Sequence, residues 1–234
     1  MAPRGLFVTL EGGEGAGKST QAVRLRERLE SLGRRVVQVR EPGGTKFGEE
    51  LRELLLSSTK IASRTEMLLF MAARAEVVDK VIKPSLTKGI DVICDRFIDS
   101  TMAYQGYGRG VSRSLIQTVN EAVIQGCKPD LTLLLDIDPN EGLSRAGEGS
   151  GGDAIEGHWQ SSLALDAVEQ PAGKRVGGRD LAFHVRVRDG YLALAKAEPE
   201  RWLVLDARQS PDLIAEAIWQ RVEALVAHGS PSGE

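Results

Sequence analysis

Cysteine, aromatic residues and excess charge are all scarce in this chain of 234 residues, and each scarcity removes a class of protein. Two cysteines, Cys94 and Cys127, match no zinc or redox spacing and suggest a reducing compartment. Cys94 lies inside an apolar run and reads as a small core residue. A net charge of -3 supplies no global basic field, which argues against a nucleic-acid polymer as partner. No apolar run approaches a membrane span, and Leu6-Phe7-Val8-Thr9-Leu10 is too short for the apolar part of a signal peptide. The cytoplasm is therefore the expected location, with no membrane partner. Arg34-Arg35 falls at a helix end and reads as solvated charge. What is present, 41% hydrophobic and 27% charged residues, suits one α/β domain with room for an insertion.

Short apolar runs alternate with longer amphipathic ones. Strands are expected at Leu6 to Leu10, Val36 to Val39, Ile90 to Asp95, Leu131 to Asp136 and Trp202 to Leu205. Helices are expected over residues 18–32, 47–57, 64–83, 112–126 and 211–227, with Pro84 near the end of the third. This order implies βαβ units and a five-stranded parallel sheet flanked by helices. Glycine and polar residues dominate the edges of 147–179, which reads as a mobile lid inserted in a single domain spanning 1–234. Residues 229–234 read as a frayed tail.

The strongest motif is Gly12-Gly13-Glu14-Gly15-Ala16-Gly17-Lys18-Ser19, followed by Thr20. It fits G-x-x-x-x-G-K-[ST] between an apolar strand and a helix, the context a phosphate-binding loop requires. Its glycines let backbone amides turn toward phosphate oxygens, and the helix adds its positive end. Lys18 can reach the β- and γ-phosphates of ATP, and Ser19 can ligate Mg²⁺. The loop implies a nucleotide but leaves two reactions open: hydrolysis in a switch or motor, or transfer to a bound acceptor. An Asn-Lys-x-Asp guanine signal is missing, and the size with a polar lid fits a kinase better.

Two further clusters follow the next strands in the sheet. Arg40-Glu41-Pro42-Gly43-Gly44-Thr45 sits after the second, and Asp95-Arg96-Phe97 with Ser100-Thr101 and Tyr104-Gln105-Gly106 after the third. Ligands of open α/β sheets bind at such carboxyl ends. Asp95 can hold Mg²⁺ through water, and Arg96 can clamp an acceptor phosphate. An Asp-Arg pair alone reads as a surface salt bridge, but three clusters at three strand ends do not.

These pieces, with Pro129-Asp130-Leu131 and Arg186-Val187-Arg188-Asp189-Gly190-Tyr191, resemble the thymidylate kinase family in its bacterial form. The resemblance implies a P-loop NTPase fold, transfer of the γ-phosphoryl of ATP to dTMP for dTTP synthesis, Mg²⁺ dependence and a homodimer. It implies that Phe70 stacks on thymine, that Arg74 hydrogen-bonds the base and that Pro42 packs against it. Thr101 and Gln105 would read its polar edge, and Tyr104 would lie under the sugar. Arg40 and Glu41 join that acceptor side. Glu14 would face the 3′-hydroxyl side, and Asp206-Ala207-Arg208-Gln209 the adenine. By their surroundings alone, Phe70 among Met67, Leu68, Leu69 and Met71 reads as core, and Arg74 as a solvated helix residue. Ala16 in the loop implies a catalytic arginine in the lid. The family's Asp-Arg-x-Glu lid motif is not clear here: Asp166-Ala167-Val168-Glu169 has the carboxylates without the arginine. Arg175 and Arg179 are the candidates, with Arg179 preferred because Asp180-Leu181-Ala182-Phe183-His184 resumes the family pattern. His184 reads as structural.

Overall fold

The computed structural model describes residues 4–57, 61–148, 175–176 and 179–228, with side chains over 4–57, 61–146 and 180–227. Five parallel strands form the central sheet: β1 Phe7–Gly12, β2 Val36–Arg40, β3 Asp91–Asp95, β4 Leu131–Asp136 and, last in the chain, β7 Trp202–Asp206. Their spatial order is β2-β3-β1-β4-β7. The chain first builds outward on one side of β1 and then crosses to the other. The carboxyl end of β1 is thus a switch point, where such sheets open a crevice.

The register is continuous, with Leu10 opposite Asp95 on one side and Leu133 on the other. Alternation along β1 gives its two faces different characters. Leu6, Val8 and Leu10 join the core formed with Leu25 and Leu29 of α1 (Lys18–Ser31) and Ile218 and Trp219 of the closing helix, Pro211–His228. Phe7 packs on the opposite face with Val92, Cys94 and Phe97. Thr9 and Glu11 continue that face and are fully buried polar residues, so they need internal partners.

The helices that follow α1 are α2 Lys46–Ser57, α3 Ser63–Val77, α4 Lys83–Thr87, α5 Ile98–Thr101, α6 Arg113–Ile124, α7 Pro139–Glu148, α8 Leu181–Ala197 and the closing helix, α9. The helix expected to stop near Pro84 instead continues to Thr87, through a π turn at Val78–Ile82. Pro84 enters at the first turn of α4, where a missing N–H is tolerated. A second π segment, Met102–Gly108, carries Tyr104 and Gln105. Helices α7 and α8 were absent from the sequence expectation. The exposed-charge reading of Arg34 is also corrected: its guanidinium pairs with both oxygens of buried Asp91.

Of the expected lid, the start belongs to α7, and Arg175–Val176 (β5) pairs antiparallel with Arg179–Asp180 (β6). The Asp166 to Glu169 segment, the 229–234 tail and the side chains of Arg175 and Arg179 lie outside the described residues.

Candidate active site

The loop after β1 is held in shape from two directions. Gly12, Gly15 and Gly17 adopt φ of 139°, 65° and 87°, which side chains disfavour. Space is also short: a Cβ on Gly15 would meet the Gly142 carbonyl oxygen at 2.2 Å, and one on Gly142 would meet the Glu14 carbonyl oxygen at 2.4 Å. Gly142 of α7 therefore lets that helix press directly on the loop backbone. Lys18 begins α1 and folds back, its Nζ donating to the carbonyls of Gly13 at 2.8 Å and Gly12 at 3.3 Å. Ser19 Oγ donates to Asp95 Oδ2 at 3.0 Å, so the first turn of α1 meets the end of β3. Ser19 and Thr20 are exposed at this mouth, and Ala16 is buried behind it.

Arg96 follows β3 with φ 68°, a left-handed backbone that a non-glycine residue adopts only under constraint. Its guanidinium is buried beside the loop. Nη1 donates to Gly12 O at 3.2 Å, to Tyr191 OH at 3.3 Å and to Ser100 Oγ at 3.4 Å. Nη2 donates to Tyr104 OH at 3.3 Å, and the guanidinium also lies over the Tyr104 ring.

Arg74 is not solvated. It is 1% exposed, and its guanidinium joins Glu41 Oε2 at 2.7 Å, Asn120 Oδ1 at 2.7 Å and the Phe97 carbonyl at 3.0 Å. This bridge ties α3 to the end of β2 and to the segment after β3. Burial raises the Glu41 carboxyl above its ordinary range, against the pull of Arg74. Pro42 follows a cis peptide and its carbonyl accepts from Arg52 at 3.1 Å. Gln105 Nε2 donates to buried Glu66 at 2.7 Å, and Arg109 holds the same carboxylate at 3.0 Å. With its amide nitrogen so engaged, Gln105 presents Oε1, which has no partner among the described residues. Thr101 is buried, and Phe70 and Tyr104 share one apolar cluster with Phe183 and Tyr191.

Other candidates sit differently. Arg40 points outward, 55% exposed, and pairs with Glu49 at 3.1 Å. Glu14 is buried and lines a small cavity with His184, Arg188 and Tyr191, its carboxylate 3.9 Å from His184 Nε2. Arg188 is bidentate to Asp136 at 2.7 and 2.8 Å, at the end of β4. Arg208 pairs with Asp206 across one turn at 2.8 Å.

Glu11 was not among the site residues expected from the sequence. It is fully buried at the penultimate position of β1, accepts from Phe97 N and lies within hydrogen-bond distance of Ser100 Oγ and Tyr191 OH. Burial first, and Asp99 next, push its carboxyl up to about 7. Its one local signal is a charged residue terminating an apolar strand.

The described residues contain no group of three or more His, Cys, Asp or Glu side chains arranged to hold a metal. Mg²⁺ does not require one. It is commonly held by one carboxylate or hydroxyl while substrate phosphates and waters complete the shell. Ser19 and Asp95 are hard oxygen donors at the loop mouth and fit that chemistry.

A family model described as thymidylate kinase matches residues 10–163. The chain belongs to the thymidylate kinase family. A thymidylate kinase of Solidesulfovibrio magneticus is 47% identical, over 94% of this chain and 100% of its own. One of Deinococcus radiodurans is 44% identical, over 94% and 97%. A crystal structure of thymidylate kinase from Ehrlichia chaffeensis superposes with a TM-score of 0.71 at 35% identity, covering 94% of this chain and 99% of that one. Thymidylate kinase membership accounts for the loop and the two clusters after β2 and β3 occurring in one chain. No described helix is long and apolar enough to cross a membrane.

Proposed function

We infer that this chain transfers the γ-phosphoryl group of ATP to dTMP, giving dTDP and ADP. The observation that carries this reading is Arg96. A buried guanidinium beside the Gly12 carbonyl sets a second anion site next to the donor loop. A hydrolase needs only the loop and a water; a kinase needs two phosphate grips side by side.

In our reading, an acceptor phosphate oxygen attacks the γ-phosphorus in line, and no protein nucleophile takes part. Loop amides and Lys18 hold the donor phosphates and offset charge on the transferring group. Arg96 fixes the acceptor phosphate, which converts encounter into alignment. Ser19 and Asp95 would hold Mg²⁺, which supplies charge neutralisation on the phosphates when bound. Arg179 is proposed as the lid arginine, and 147–179 as the lid that keeps water out.

Gln105 supports a pyrimidine acceptor: it offers a buried acceptor oxygen, suited to the N3–H of thymine. Arg74 is proposed to reach a ring carbonyl by exchanging one of its present partners, Glu41, Asn120 or the Phe97 carbonyl, for the base. Phe70, Pro42 and Thr101 are proposed to line the base, with Tyr104 under the sugar. Glu41 orients Arg74, and Arg40 at the rim screens the incoming anion. Glu14, lining a cavity with Tyr191, is proposed to face the sugar's 3′ side. We further propose a homodimer: Phe47 and Leu54 of α2 and Leu68 of α3 are about half exposed, on helices that pack together, and a second copy would cover them.

The test is acceptor-dependent ADP release across a panel of nucleoside monophosphates with Mg²⁺. Release that rises on adding dTMP supports the reading. Release that proceeds equally without any acceptor replaces it with an NTP-driven switch, and preference for another monophosphate replaces the pyrimidine assignment.

A further inference from the structure

Three oxygens behind Arg96 form a closed ring. Glu11 Oε2 lies 2.5 Å from Ser100 Oγ and 2.9 Å from Tyr191 OH, and those two hydroxyls are 2.9 Å from each other. A ring in which all three of these contacts are hydrogen bonds takes three protons. The serine and tyrosine hydroxyls supply two. Neither the Phe97 N–H, which donates to the other Glu11 oxygen, nor the Arg96 Nη1 donors, which come from outside, lies between two oxygens of the ring. A fully bonded ring places the third proton on the Glu11 carboxyl, the one remaining group of the three that can carry it.

We propose that Glu11 is a positioning residue for the acceptor grip, holding Ser100, Tyr191 and through them Arg96 in place while it carries a proton, and releasing that arrangement when the proton leaves. This rests on the reading of Arg96 as the acceptor-phosphate clamp. With the ring complete, Ser100 and Tyr191 turn lone pairs to Arg96 Nη1, and Glu11 places no negative charge behind the guanidinium. With the proton gone, both hydroxyls turn their protons to the carboxylate, and the contact between Ser100 and Tyr191 is left without one. A carboxylate then competes with an incoming phosphate for Arg96.

The surroundings leave the exchangeable proton with Glu11. Asp99, the carboxylate whose charge raises Glu11, is itself paired with Arg201 at 2.7 and 2.9 Å. Arg201 also reaches Thr132, which meets Thr9 of β1. Burial and Glu11 itself hold Tyr191 well above its ordinary range, and burial does the same for Cys94 on β3. Both keep their protons. Arg96 is the facing cation, and the burial that pushes Glu11 to about 7 exceeds its pull. A phosphate dianion placed on Arg96 opposes ionisation of Glu11 further, so acceptor binding and protonation of Glu11 favour each other.

The experiment is a ¹³C-carboxyl NMR titration of the glutamate-labelled full chain, with and without dTMP, beside Glu11→Gln. The expected result is one glutamate carboxyl with a midpoint near 7, missing in the variant and moved upward by dTMP. In kinetics, kcat/KM for dTMP should fall roughly tenfold per pH unit above that midpoint in the wild type. The Glu11→Gln profile should lack this descent; ionisation of dTMP itself is common to both. If no wild-type glutamate carboxyl titrates between ~6 and ~8, the proposal is overturned whether or not the variant folds. A midpoint unmoved by bound dTMP, with parallel pH profiles, also overturns it. Should dTMP prove not to be the acceptor, the free-enzyme titration would still appear, so the two failures are distinguishable.

Discussion

Arg74 Nε and Glu41 Oε2 meet at 2.7 Å with both side chains almost wholly buried, joining a helix to the end of a strand 33 residues earlier. Taking two charges out of water is costly, and their attraction offsets this only while both are present. Replacing Arg74 by Met leaves Glu41 ionisable and unpaired, and should destabilise the fold by about 3–5 kcal/mol. Urea unfolding of Arg74→Met checks this. A loss under about 1 kcal/mol would mean that water reaches the pair.

Lys18 should separate fold from turnover. Its ammonium hydrogen-bonds the Gly12 and Gly13 carbonyls within the loop it serves. Lys18→Ala should lower kcat by roughly a thousandfold or more. Its circular dichroism should match the wild type. Unchanged activity would refute the assignment of the donor loop.

Arg96 should discriminate between the two substrates. Removing a charged double donor is worth about 1.5–3 kcal/mol, or roughly ten- to a hundredfold in binding. Arg96→Lys keeps the charge but loses the fork. It should raise KM for dTMP by at least that lower factor and KM for ATP far less. Equal losses for both would count against the clamp.

Gly142 should matter although it lies 130 residues beyond Gly12. A methyl group there would meet the Glu14 carbonyl oxygen at 2.4 Å, backbone against backbone. Gly142→Ala should destabilise by about 1–3 kcal/mol and weaken ATP binding by displacing the loop. Thermal melts and ATP titration test both effects. Gly33→Ala is the control: no neighbour lies within 4 Å, so only its φ of 75° carries a cost.

Glu11 should leave a mark on stability against pH. Its folded carboxyl titrates near 7 against an ordinary 4.5, so the native state binds the proton more tightly than the unfolded chain. Stability from this group is therefore greatest at low pH and declines as pH rises from 4.5 through 7. The full decline is about 3 kcal/mol. Unfolding free energies of the wild type and Glu11→Gln should differ by an amount that changes by roughly this much across the window. A constant difference would show that Glu11 is ionised throughout.

Much of the architecture was legible because its signals are local. Apolar runs mark β1 through β4 and β7, because a strand covered on both faces has no polar positions to spare. Helices α7 and α8 were not found: α7 is short and polar, and α8 mixes charge and apolar residues around most of its circumference. Pro84 misled for a physical reason, since a preceding π turn lets the helical path continue where an α-helix would break.

The donor loop is one stretch of eight residues, Gly12 to Ser19, and its chemistry follows from glycine, lysine and serine at fixed spacing. Sequence alone therefore determined the fold class, the place of the Gly12 to Ser19 loop after β1 and the strand ends that flank it. Only the tertiary structure decided which polar residues are buried and what they meet. Glu11, Ser100 and Tyr191 are separated by 89, 91 and 180 positions, and no periodicity predicts their ring. Neither Arg74 nor Asp91 announces its partner in the chain. Backbone hydrogen bonding and side-chain pattern act between near neighbours, whereas burial is a property of the packed whole, and it is burial that turns an ordinary carboxylate into a proton-holding one.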